Sequence, residues 1–233
     1  MPDPLSLPAH LDAREAQGLA QNEPIAQFEI GSMRNFIYLV LDWKTRKAAV
    51  VDPQRDLAPW VDALKREGFE LEAVLLTHSH HDHVGGVAEI ARRWPGVKIH
   101  LGAEDAHRLV SASTLNLRLL EDGASIAVGS LTVEVLHTPG HSAGECSYLV
   151  NAGRPYLFTG DTVFIRDCGR TDFPDGSNEQ MFESLARIKK LAADTVLLVG
   201  HHYAPEVATT LARELESSPP MRCRSVQELA SLP

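Results

Sequence analysis

The sequence predicts an α/β fold of two sheets with helices outside, and three observations carry that prediction. Short β-prone runs alternate with segments of helical spacing along most of the 233 residues. Strand–turn–strand signatures surround Gly129-Ser130 and Ala152-Gly153. The run Ala73-Val74-Leu75-Leu76 is continuously apolar, as expected of a strand covered on both faces.

Taken in order, residues 1–24 carry four prolines and little periodicity, which reads as an irregular N-terminal arm, and residues 25–233 as one domain. Segments 36–42 and 48–52 form a hairpin across Trp43-Lys44-Thr45-Arg46-Lys47. Residues 57–67 place Leu57, Trp60, Val61 and Leu64 at helical spacing, and Gly68 ends that helix. Strand 73–76 leads directly into Thr77-His78-Ser79-His80-His81-Asp82-His83-Val84-Gly85-Gly86. A helix is expected over 84–94, stopped by Pro95-Gly96, and a strand over 97–101. Hairpins 125–128/131–136 and 147–151/156–159 follow, then a helix over 179–190, a strand over 195–199 and a last long helix over 205–216. After it come a Pro-Pro break and one short helix.

At 233 residues the chain can bury roughly 70% of its unfolded surface in a single core. Twenty-two Lys and Arg stand against 31 Asp and Glu, a net charge of −9. That balance argues against a nucleic-acid or anionic-membrane partner, because such binders gain affinity by displacing cations with Lys and Arg. Cys146, Cys168 and Cys223 are too few and scattered for a disulfide framework, so a reducing cytoplasm is expected. Neither a leader pattern nor an apolar run of about 20 residues is present, so export and membrane insertion are not expected. The Pro-rich arm leaves a homodimer open.

Eleven histidines stand out by placement. His78, His80, Asp82 and His83 put four candidate metal ligands into six residues directly after a buried strand. In extended backbone His78 and His80 leave the same side of the chain and can converge on one ion, while Asp82 and His83 at the following turn can face a second. The plain alternative is a polar loop at a strand end. His141, Asp161 and His201 each follow a predicted strand beside glycine or proline, where sharp turns and close backbone approach are available. Taken singly, each reads as readily as a cap or turn residue. His81 and His202 adjoin ligand positions and read as supporting residues; His10, His100, His107 and His137 carry no pattern.

Together these motifs resemble the metallo-β-lactamase-fold superfamily over residues 27–216. The resemblance implies a four-layer αβ/βα sandwich, two mixed β-sheets with helices on the outer faces. It implies a first ion on His78, His80 and His141, a second on Asp82, His83 and His201, and Asp161 bridging them. Two divalent ions are expected, zinc first, with iron and manganese as alternatives. Asp82 is expected to be catalytic as well, orienting a hydroxide or moving a proton.

Within that superfamily the segment Ile165-Arg166-Asp167-Cys168-Gly169-Arg170-Thr171-Asp172-Phe173 is similar to persulfide dioxygenases, which would use a single Fe2+ on His78, His141 and Asp161 to oxidise glutathione persulfide. Those enzymes typically carry an alanine before the aspartate, where this chain has His81, and its Thr159-to-Phe164 stretch looks like the hydrolase branch. A glyoxalase II-like hydrolase of thioesters or related acyl substrates, acting through a metal-bridging hydroxide, is the expected function. Glyoxalase II recognises glutathione with a C-terminal helical domain, and 233 − 201 leaves only 32 residues after His201. Arg166 and Arg170 are candidate anchors for a substrate carboxylate or phosphate, with salt bridges to Asp167 or Asp172 as the alternative. A metal-stabilised binding module without catalysis predicts closed four-ligand coordination instead. A true β-lactamase of the cysteine-ligand subclass would need Cys at position 161.

Overall fold

Residues 25–120 build one sheet and residues 125–210 a second, so the two halves of the chain each contribute a complete layer. The structure is a computed structural model that describes residues 3–8, 19–109 and 115–233. The first sheet has strand order β1 (Ile25–Ile30), β2 (Asn35–Asp42), β3 (Lys47–Val51), β4 (Glu70–Leu75), β5 (Lys98–Gly102), β6 (Leu117–Leu120). β1, β2 and β3 pair antiparallel, and β3 to β6 parallel. In the second sheet β7 (Ser125–Val128), β8 (Leu131–His137), β9 (Cys146–Asn151) and β10 (Pro155–Gly160) run antiparallel in turn. β10 then pairs parallel with β13 (Val196–Val199), which β14 (Thr209–Thr210) closes. A small ribbon, β11 (Val163–Phe164) with β12 (Asp167–Cys168), hangs off the second sheet.

The alternation of side chains along β2 explains the layering. Phe36, Tyr38 and Val40 join Val51, Leu75, Val135, Tyr148, Phe158 and Leu198 between the sheets. Ile37, Leu39 and Leu41 point the other way, onto Trp60, Val61 and Leu64 of α1 (Ala58–Glu67) and Ile90 of α2 (Val87–Arg93). Both faces are apolar because both are covered. The outer face of the second sheet buries Leu136, Leu157 and Leu197 against Met181, Leu185 and Ile188 of α3 (Asn178–Ile188) and Leu211 of α4 (Leu211–Ser217). Helix, sheet, sheet and helix therefore stack in four layers, as the resemblance implied.

α1 ends at Gly68, whose φ of 68° lets its N–H reach back to the carbonyls of Leu64 and Lys65. A buried tie joins the sheets at the opposite edge from the histidines. Asp42 at the end of β2 accepts from the Thr45 hydroxyl at 2.6 Å and the Lys44 N–H at 3.0 Å, and across the sandwich from the N–H (2.5 Å) and hydroxyl (2.8 Å) of Ser130. Those bonds outweigh burial and hold its carboxyl far below the usual range.

Five elements differ from the sequence expectation. β1 and β6, at the β1–β2 and β5–β6 ends of the first sheet, are strands that periodicity did not mark; β6 presents Arg118 and Leu119 to solvent. The second helix starts at Val87 rather than 84, because His83 and Val84 donate to the His80 carbonyl in a turn that folds the histidine cluster back on itself. The last long helix begins only at Leu211: Thr209 and Thr210 first pair with Leu197 and Val196, and the Thr210 hydroxyl caps α4. Pro219-Pro220 opens a one-turn helix, α5 (Pro219–Arg222), instead of breaking one, and α6 (Val226–Ala230) follows. The N-terminal arm lies partly outside the described residues. Within it, Ser6 turns back onto the Asp3 carbonyl and its own carbonyl receives Arg154.

Candidate active site

The loops after β4, β8, β10 and β13 leave the sandwich at one edge and bring His78, His80, Asp82, His83, His141, Asp161 and His201 together. Three overlapping groups have all their donor atoms within 4.8 Å of one another: His78/His80/His141, Asp82/His83/His201 and, between them, His78/His83/Asp161. His80 Nδ1 lies 2.9 Å from His141 Nε2, and His83 Nε2 lies 3.2 Å from His201 Nε2. Asp161 faces both sets, with Oδ2 at 3.5 Å from His141 Nε2 and 3.4 Å from His201 Nε2, and Oδ1 at 3.5 Å from His83 Nε2. Asp82 Oδ2 lies 3.4 Å from the Nε2 atoms of both His83 and His201.

Hydrogen bonds behind the cluster fix which nitrogen each ring presents. His141 Nδ1 donates to the Arg170 carbonyl at 2.8 Å and His201 Nδ1 to the Met33 carbonyl at 2.9 Å. His83 Nδ1 donates to Asp52 Oδ2 at 3.0 Å. In the neutral rings those bonds turn the Nε2 lone pairs inward. Two inward lone pairs 3.2 Å apart on His83 and His201 need a positive charge between them. His78 Nε2, fully buried, has no hydrogen-bond partner among the described residues. Such a donor set suits a divalent metal of borderline softness.

The titration behaviour agrees. Burial alone would lower His83, but the carboxylates of Asp161, Asp52 and Asp82 push it up to about 9, so without a metal the ring holds a proton where a cation belongs. Burial and the neighbouring His83 keep His78 well below the usual imidazole range. Burial would raise Asp161, but His83, His201 and His78 hold it far below the carboxylate range. The cluster is thus built to hold divalent cations.

Sequence reasoning missed the layer that supports these groups. Asp52 accepts the Thr77 N–H at 2.8 Å and hydroxyl at 2.6 Å as well as His83. Asn35 donates to Asp82 Oδ2 at 2.9 Å. Asp105, fully buried, clamps the two histidine loops by accepting from the Ser79 N–H (2.8 Å), the Gly144 N–H (2.8 Å) and the Ser142 hydroxyl (3.1 Å). Beneath them Glu145 accepts the Asp161 N–H at 2.8 Å and sits 3.5 Å from His78 Nδ1; burial, reinforced by Asp161, raises its carboxyl well above the usual range. A polar residue at a strand end carries no signal that separates such a support from an ordinary cap.

The cluster opens into a cavity of about 330 Å3. Its walls are Met33, Phe164, Phe173 and Tyr203, with Tyr203 stacked on His201 at 4.7 Å and Phe173 edge-on to His141 at 5.2 Å. Arg170 lies at the mouth, its guanidinium 4.8 Å above Phe173 and forked onto Asp172 at 2.8 and 2.9 Å. Arg166 lies outside this cavity. Its φ of 62° in the β11–β12 turn sends the side chain to a bidentate pair with Glu206 at 2.7 and 2.8 Å. Cys168 lines the cavity as a thiol, pushed up to about 12 by burial and Asp167. His81 is exposed, and His202 turns to Glu29 at 2.6 Å.

The chain is similar to several known proteins. The hydroxyacylglutathione hydrolase of Gloeobacter violaceus is 38% identical over 169 residues, which are 72% of this chain but 64% of that protein. The chain therefore matches less than two thirds of that relative's length. ETHE1 from Myxococcus xanthus superposes with a TM-score of 0.78 at 28% identity, covering 90% of this chain and 92% of that one. TTHA1623 in a di-iron-bound form superposes at 0.70 with 28% identity, covering 83% and 98%. With the four-layer fold, the converging histidines and aspartates, and a family model that matches residues 33–201, the chain belongs to the metallo-beta-lactamase superfamily.

Proposed function

We propose that this protein is a dinuclear metallohydrolase of thioesters or related acyl substrates, similar to glyoxalase II. The observation that carries the reading is Asp161, whose carboxylate reaches both donor sets, Oδ2 to His141 and His201 and Oδ1 to His83, on the floor of an open cavity. His78, His80 and His141 would hold one ion, Asp82, His83 and His201 the other, and Asp161 both, with zinc the first expectation. When bound, such a pair lowers the pKa of a shared water toward neutrality and polarises the acyl carbonyl.

The chain's own groups then have defined tasks. Asp82 is held by Asn35 through Oδ2, and its Oδ1, 3.8 Å from the exposed His81 ring, is placed to pass a proton toward solvent. Asn35, Asp52 and the Met33 carbonyl keep the donor atoms aimed before substrate arrives, so little reorganisation remains for the reaction. Phe164, Phe173 and Tyr203 offer apolar cover to the acyl and thiol portions, and Arg170 a cation at the mouth. Three free cysteines fit a reducing cytoplasm, and no helix among the described residues is long and apolar enough to cross a membrane.

A second reading, the single-Fe2+ dioxygenase on His78, His141 and Asp161, is favoured by the Arg170 carbonyl, which ties the dioxygenase-like segment to His141. Metal analysis with two activity assays separates the two. The hydrolase reading expects two ions per chain, hydrolysis of lactoylglutathione or a simpler thioester, and its loss in His201→Ala. One iron per chain, with oxygen consumed on glutathione persulfide and thioesters untouched, overturns it.

A further inference from the structure

A second cleft opens where the β5–β6 edge of the first sheet faces β7 of the second. It encloses about 310 Å3 and shares no lining residue with the metal cavity. The pairing places Leu75 beside His100 and His100 beside Arg118, while Ala73 lies beside Lys98, so all five side chains share the inward face of the sheet. Elsewhere that face is apolar: Ala73, Leu75 and Leu120 belong to the core between the sheets. At this edge it carries three basic groups in a row.

His100 is 7% exposed, and neither ring nitrogen has a hydrogen-bond partner among the described residues. A buried imidazole with both nitrogens unmatched is costly unless something occupies the space in front of it. Burial, then Lys98 and Arg118, lower it to about 4, so both cations lie close enough to act on the ring. Arg118 spends one nitrogen on its neighbour's carbonyl, at 3.2 Å, and no ion pair to Lys98 or Arg118 occurs among the described residues. Glu72, the one carboxylate lining the cleft, already accepts the Gly129 N–H at 2.9 Å. A water would satisfy the ring but leave both cations without a counter-ion.

We propose that this cleft binds a compact oxyanion, a carboxylate or phosphate group, with Lys98 and Arg118 at its rim and the His100 ring at its floor. An anion there accepts from one His100 nitrogen and from both cations, which matches the buried donor and gives both cations a counter-ion together. The volume, at the low end of the ~300–1,000 Å3 typical of small-molecule sites, fits a group of that size.

The test follows the His100 ring by 1H–13C NMR in the metal-loaded full chain, because a residue-specific signal is not confused with anions binding the metals. Inorganic phosphate is added in one arm and malonate in another, with sodium chloride matching ionic strength. The expected result is a saturable shift of the His100 resonance with one or both anions and none with chloride; the arm that saturates at lower concentration identifies phosphate or carboxylate. Lys98→Gln and Arg118→Gln each weaken binding by roughly tenfold, one charged hydrogen bond apiece. Both side chains are solvent-exposed, so the variants keep the parent's melting temperature without anion. A His100 signal that neither anion moves, or one that shifts equally in the Lys98→Gln/Arg118→Gln double variant, overturns the proposal.

Discussion

Replacing Asp52 by Asn tests whether the second donor set depends on its support. Asp52 is 2% exposed and its carboxylate accepts three hydrogen bonds: from the Thr77 N–H (2.8 Å), the Thr77 hydroxyl (2.6 Å) and His83 Nδ1 (3.0 Å). An amide has one accepting oxygen. If it stays with the Thr77 N–H, the NH2 group faces the hydroxyl and the His83 ring. The hydroxyl can rotate to accept; the imidazole can accept only by moving its proton to Nε2, which lies 3.2 Å from His201 Nε2 at the centre of the site. A metal must then displace that proton and forgo a hydrogen bond to a charged group worth about 1.5–3 kcal/mol, so affinity at Asp82/His83/His201 falls by roughly 10- to 100-fold. His78, His80 and His141 do not touch Asp52, and the first site keeps its affinity within about threefold. Chelator competition with zinc resolves the two steps, and a melting curve shows that Asp52→Asn is folded. Two unchanged steps, or two steps weakened alike, would refute the reasoning.

Other perturbations probe different layers. A Cβ on Gly169 would run into the Asp161 carbonyl and crowd His141 Nδ1 at 3.1 Å, so Gly169→Ala is expected to cut metal content and activity at least ~10-fold while the far edge of the sandwich stays intact by hydrogen exchange. Asp42→Asn weakens the tie to Ser130 and Thr45 by about 2 kcal/mol at pH 6. Because the folded pKa of Asp42 is depressed below its ordinary 3.8, that stability is present above about pH 4 and drains away as pH falls further, so urea midpoints of wild type and variant converge in acid. Trp60, fully buried between α1 and the first sheet, should cost about 3–5 kcal/mol as Trp60→Ala, read by the same urea titration.

The site was legible where chemistry is local. His78 to His83 lie within six residues, and no core packing explains so many ligating groups together. His141, Asp161 and His201 became readable only as a set, because one polar residue after a strand is ordinarily a cap. Asp52, Glu145 and Asp105 stayed hidden for that reason: their roles come from contacts 16 to 39 residues away in sequence that no spacing encodes. Arg166 and Arg170, four apart, looked equivalent in the sequence. A left-handed turn at Arg166 sends one to Glu206 and leaves the other at the cavity mouth. Among the elements, β2 and β3 were plain from their apolar runs, whereas the two-residue β14 exists only because β13 offers an open edge to Thr209 and Thr210. Helical spacing in 205–216 had no means of registering that edge.

The division of the chain into two sheets gives the metal cluster a mechanical part to play. His78, His80, Asp82 and His83 leave the first sheet; His141, Asp161 and His201 leave the second. In sequence the sheets are joined by the short stretch after β6 and before β7. Ions gripped from both sides would add a rivet between half-molecules that also meet through apolar contact, the Asp42 tie, the Asp105 clamp and backbone hydrogen bonds such as Cys146 N–H to the Thr77 carbonyl. A chain nicked at Gly123, between the sheets, would leave each fragment an entire layer and an incomplete ligand set. Reassembly of the halves would then become a chelation reaction, with metal concentration in the role that chain connectivity plays in the intact protein.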